Sequence, residues 1–254
     1  MNKSIIDKKL GEPFIAIERG IRMKKKILIG ISIVLVVVIG VLVYMVISDL
    51  GQEEKLKTEL EEINAMTNSQ DIDINTIYER LDTIVTKGDY AKVEKAFKGY
   101  LKDSFDNIIK ITEILDDERI FNILTANNYL EDGKDFVETK NYIQQTKTEL
   151  EKCKQEYASF FTEEKVMSYL DSDGLDSYYI DLYKNQYVGD IESASEDKTV
   201  ENSVDQILGI LDISEQVIDL LSENPNSWEV DGQNIMFHDD TLSSKYDELL
   251  NKLA

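Results

Sequence analysis

The sequence predicts a mainly α-helical protein: one N-terminal single transmembrane helix, an extracytoplasmic multi-helix bundle behind it, and one small C-terminal β-hairpin. Three observations carry this prediction. Residues 27–47, ILIGISIVLVVVIGVLVYMVI, form an uncharged apolar run. Beyond it, apolar residues recur at alternating steps of three and four, and the whole chain holds only two prolines and twelve glycines, a pattern that favours helices. Near the end, Asp231-Gly232 stands between two short alternating segments, a strong short-range hairpin signal.

A helix rises about 1.5 Å per residue, so the run at 27–47 reaches across the roughly 30 Å hydrocarbon core of a bilayer. In lipid every backbone group must bond internally, which enforces a helix despite the many β-branched residues. A cleaved signal peptide is the competing reading. The run exceeds the roughly 7–15 apolar residues of a signal h-region, which favours an uncleaved signal-anchor. Arg22, Lys24, Lys25 and Lys26 precede the run, whereas Asp49, Glu53 and Glu54 follow it. Positive charge stays inside, so residues 1–26 are expected to be a cytoplasmic tail and everything after Ser48 to lie outside.

Within that tail, residues 1–22 show no sustained period and carry Gly11 and Pro13 as breakers, so no folded element is expected there. Met23-Lys24-Lys25-Lys26 running straight into the apolar segment resembles the start of a bacterial exported or anchored protein. Glu18-Arg19-Gly20 can be encoded by a purine-rich string like a ribosome-binding site. Translation is therefore expected to begin at Met23, with residues 1–22 as leader.

Charge divides at the apolar run. The first 26 residues hold eight basic and three acidic side chains, so a whole-chain charge of −22 leaves −27 for the remainder. A body that acidic repels nucleic acid and anionic lipid. The lipid bilayer around 27–47 and another envelope protein are the expected partners, and nucleic acid is excluded.

The helices follow in order. Residues 48–67 form a membrane-proximal amphipathic helix with Leu56, Leu60, Ile63 and Met66 on one face, and residues 68–254 form the helical domain proper. Residues 75–87 predict a helix burying Ile77, Leu81, Ile84 and Val85, capped by Gly88. The next helix aligns Tyr90, Val93, Phe97, Leu101, Phe105, Ile108 and Leu115. A short helix over 116–125 is expected to end at an Ala-Asn-Asn turn. In the helix over 135–161, Phe136, Ile143, Leu150 and Tyr157 fall seven apart, with Cys153 and Phe160 on the companion seam. That placement makes Cys153, the only cysteine, a buried hydrophobe. Thr162 should cap a short helix, and the DSDG turn at 171–174 should end it. Residues 198–222 carry the widest apolar stripe and are expected to form the central helix. The hairpin near 227–237 is expected to be the only β element and to dock Trp228, Val230, Ile235 and Phe237 on helices. A last helix covers 241–253.

Three places invite a chemical reading. Tyr178, Tyr179, Tyr183 and Tyr187, in the tyrosine-rich region 157–187, would suit a pocket for a sugar or peptide, because each ring offers an apolar face and a hydroxyl. The alternative is that they pack a core rim. Asp171, Asp173 and Asp176 resemble calcium ligands, but the glycine of a calcium loop falls at the wrong place and the closing glutamate is missing. Acidic caps around a turn explain them better. His238 with Asp239 and Asp240 could assist a hydrolase or hold a metal, yet a triad needs a nucleophile and a zinc site needs more ligands. No cofactor is expected, since there is no P-loop, Rossmann glycine pattern, HExxH or CxxC. The expected role is an interaction or scaffold module of a bacterial cell envelope, with a small-ligand receptor and a hydrolase as alternatives.

Overall fold

A computed structural model describes residues 6–9, 51–67, 73–184 and 198–253. The apolar run at 27–47, the Met23 start, Tyr187 and the polar loop at 189–197 lie outside the described residues. Among the described residues, no helix is long and apolar enough to cross a membrane. The body is mainly helical, and its chain order is β1 (Ile6–Lys9), α1 (Gln52–Thr67), α2 (Ile74–Asp82), α3 (Asp89–Leu115), α4 (Glu118–Asn122), α5 (Ala126–Asp132), α6 (Val137–Ser159), α7 (Glu163–Met167), a helical stretch α8 over 177–184, α9 (Thr199–Glu223), β2 (Trp228–Asp231), β3 (Asn234–Phe237) and α10 (Asp240–Asn251).

These elements belong to two compact units. One contains Glu113–Lys152 and Asn202–Ala254 together with β1; the other contains α1, α2, most of α3 and the segment Cys153–Glu201.

In the second of these, the stripe of α3 is buried as its spacing requires: Tyr90, Val93, Phe97, Leu101, Phe105 and Ile108 are all in the core. Leu56, Leu60 and Ile63 of α1 and Ile77 and Leu81 of α2 are buried in the same unit. The expected helix over 75–87 is shorter than its pattern. Asp73 caps it by accepting from the Thr76 N–H, and it stops at Thr83. Ile84 is consequently 41% exposed rather than buried. The cause is tertiary: the Glu94 carboxylate takes the N–H groups of Val85 and Thr86 at 2.8 to 3.1 Å, which a continuing helix would have used internally.

In the first unit, Trp228 is fully buried, its indole N–H donating to the Leu221 carbonyl at 2.8 Å. Phe136 stacks on it with ring centroids 5.8 Å apart, and Tyr129 meets both edge-on. Phe136 stands just before α6 at φ 52, a left-handed conformation that a bulky residue rarely adopts. The Ala-Asn-Asn segment is not a turn but the start of α5, because Thr125 accepts from the Asn128 N–H and caps it. Along α9, Val204, Ile207, Leu211, Val217, Ile218 and Leu221 are all buried. Ile235 and Phe237 of the hairpin are buried while Val230 is half-buried.

The hairpin is not the only β element. Ile6–Lys9 pairs antiparallel with β3, giving the strand order β1-β3-β2 and the register Ile6↔Phe237 to Lys9↔Asn234. The expectation of no folded element in residues 1–22 is thereby corrected. Four residues give too short a run for periodicity to register, and the pairing depends on an edge more than two hundred residues away in sequence.

Candidate functional site

The tyrosine segment begins where Asp176 caps α8, its side chain accepting from the Tyr178 N–H at 2.9 Å. Tyr183 points inward: it is fully buried, its hydroxyl donates to the Val166 carbonyl at 3.0 Å, and its ring lies 5.0 Å from Phe97. Tyr179 is half-buried and meets Tyr90 edge-on at 5.0 Å. Tyr178, 43% exposed, meets Tyr179 edge-on at 5.2 Å. Nearby, Tyr169 donates to Asp103 at 2.6 Å, and burial together with that carboxylate pushes its phenol well up. A Cβ at Gly99 would come within 3.3 Å of the Tyr169 ring, so glycine gives the ring its seat on α3. Tyr179 and Tyr183 therefore pack against the Tyr90–Phe97 face of α3 as a core rim, with Tyr169 further round the helix, and Tyr178 is the most exposed of the three described candidates.

The acidic turn uses its carboxylates locally. Asp171 accepts from the Asp173 N–H at 3.3 Å, Asp176 is committed to its cap, and the Asp173 carbonyl receives the Lys92 ammonium at 3.0 Å. Among the described residues, no group of His, Cys, Asp and Glu is arranged to hold a metal. His238 stands 3.5 Å from Glu229 across the hairpin, and Asp239 accepts from the Thr241 N–H at 2.7 Å to cap α10.

A buried charged cluster among the described residues was not among these expectations. Glu94 and Lys98, one turn apart on α3, are 0% and 1% exposed and pair at 2.8 Å. The Lys98 ammonium also donates to Glu59 of α1 at 3.0 Å, the Arg80 carbonyl at 2.9 Å and the Thr83 carbonyl at 2.5 Å. Glu59 accepts in turn from Arg80 at 3.0 Å, and Arg80 also pairs with Glu62. Burial pushes the Glu94 carboxyl up, but hydrogen bonds from Lys98, Thr86 and two backbone N–H groups outweigh it and hold the group below its ordinary value. Three ammonium protons face four oxygens, so Lys98 has no donor left for a substrate. The cluster is a clamp that binds α1, α2 and α3 together. Its signal in the sequence was a Glu-Lys pair at i,i+4 directly beside the stripe positions Val93 and Phe97, where charge is costly unless paired.

The other unit presents an open groove of about 330 Å³ lined by Leu220, Leu249, Asp219, Glu223, Glu248 and Lys245. None of the tyrosines and aspartates singled out from sequence lies in it. No known protein family, curated protein or solved structure matches the chain.

Proposed function

We propose that the protein is a membrane-anchored interaction module of a bacterial cell envelope, with its helical body outside. The observation that carries this reading is the uncharged run at 27–47 with lysines and arginine on one side and acidic residues on the other. A body of −27 beyond the run supports it, because such a surface stays soluble beside an anionic membrane rather than adhering to it.

The antiparallel pairing of Ile6–Lys9 with Asn234–Phe237 bears on the topology. Crossing at 27–47 puts these two segments in different compartments, so pairing and crossing exclude one another within one chain. The anchored form therefore has residues 6–9 released from the sheet, or begins at Met23 and lacks them.

A cysteine-labelling experiment tests the reading. The body's own thiol, Cys153, is buried, so a cysteine introduced at exposed Lys252 reports topology. Labelling of intact cells by a membrane-impermeant maleimide is expected. Labelling only after lysis removes the proposal. A small-ligand receptor is the second reading, favoured only by the exposure of Tyr178; a thermal shift with sugars or short peptides that Tyr178→Ala abolishes would support it.

A further inference from the structure

The central strand of the sheet points to a kind of partner. β3 holds β2 on one side and Ile6–Lys9 on the other. Contacts other than β1 also hold it. Ile235 and Phe237 are fully buried, Phe237 lies 5.1 Å from Tyr246, and the His238 N–H donates to the Ser227 carbonyl at 2.8 Å to close the hairpin's open end. The edge facing β1 is thus a rigid row of backbone donors and acceptors, and such an edge takes up another strand.

In the anchored protein proposed above, Ile6–Lys9 cannot reach that edge, and neither can the same segment of a second anchored copy. We propose that the outer edge of Asn234–Phe237 is then a docking edge for an extended segment of an envelope partner, added antiparallel in the register that Ile6–Lys9 takes in this structure. This rests on the anchored reading. The chemistry of the occupant is set by the surroundings. Glu229, Asp231, Asp239 and Asp240 are all exposed on or next to the hairpin; those on β2 lie two strand spacings, roughly 10 Å, from the added strand, about one screening length, so through-space attraction favours a cationic strand over an acidic one. Proline is excluded from ladder positions because it has no N–H to donate. The segment seated there here, Ile6-Asp7-Lys8-Lys9, has both properties.

The test uses the full chain in phosphatidylcholine nanodiscs and follows amide hydrogen exchange at Ile235 and Phe237, whose N–H groups face β1, since those of Asn234 and Met236 face β2 as the His238 N–H does. The probe is a synthetic peptide of residues 3–12, with its Lys8→Pro variant as control. The expected result is fast exchange without peptide, slowed by about tenfold or more at saturating peptide and not by the proline variant. Fast exchange that the peptide leaves unchanged overturns the docking edge while the anchored reading stands. Slow exchange without peptide overturns the proposal as well, because the edge is then already filled. In that case Lys8→Pro in the full chain locates the fault: acceleration shows the chain's own strand in place and removes the anchored reading too, and no acceleration leaves that reading intact.

Discussion

Lys98 is the residue whose loss should be felt most. Replacing it with alanine strands Glu94 and Glu59 in the interior of their unit without their ammonium partner, and breaking a buried pair from one side costs about 3–5 kcal/mol. Urea denaturation should show a correspondingly lower midpoint with an unchanged slope. The same cluster sets a pH dependence. The folded Glu94 carboxyl binds a proton less readily than the unfolded one, whose reference value is 4.5. Its stabilisation is therefore complete above that value and is lost as pH falls through the lower folded value. Glu94→Gln should shallow the acid limb of the stability curve, measured by denaturant midpoints between neutral and acidic pH. At this scale the apolar residues were legible: Phe136, Ile143, Leu150 and Tyr157 are buried as their sevenfold spacing demands, and so are Cys153 and Phe160 of the companion seam. The tyrosines were not resolved, because a ring that packs a core and a ring that lines a pocket have the same sequence signature. Only Tyr183's hydroxyl bond to Val166 decides its case.

Among the elements, α9 and the hairpin matched their patterns because both are encoded locally. Gly232 at φ 62 makes the tight turn between β2 and β3. Gly232→Ala should cost about 1–2 kcal/mol, the left-handed penalty for a residue with a Cβ. Trp228, the only tryptophan in the chain, reports it directly. Lys134 lies 4.2 Å above the Trp228 ring and donates to the Pro225 carbonyl at 2.6 Å and also to that of Trp228. In α9, Leu211→Pro should remove a ladder bond and clash with the preceding turn, for about 3 kcal/mol or more, abolishing the cooperative thermal transition of its unit. Where an element departed from its pattern, a distant group had intervened. α2 ends early because a carboxylate on α3 captures the backbone of Val85 and Thr86. β1 exists because β3 has a second edge. Neither cause is written in the segment it acts on.

For the whole molecule, charge is the property read most directly from composition. A net −22 spread over 254 residues, with −27 on the body beyond the apolar run, means that the body repels itself as well as other anions. Raising potassium chloride from a few millimolar to about 1 M, where the screening length falls to about 3 Å, should raise the melting temperature. A melting temperature that falls with salt would mean that surface pairs such as Lys147 with Asp212 and Glu215 outweigh the repulsion. The division into two compact units was not legible, because the apolar stripes of α3 and α6 run on without a composition break at residues 112 and 152.

The clamp around Lys98 also bears on how the body would carry a load. Tension entering from the direction of residue 51 first reaches α1, whose Glu59 is locked to Lys98 and Arg80. Gln52, at the beginning of that helix, is bonded to the Lys87 N–H at 3.0 Å. A single exposed bond at the entry would give first, and the buried ionic contact would hold until several bonds failed together. Under traction the clamp would behave as a mechanical fuse: α1 stays seated up to a threshold force and then detaches in one step.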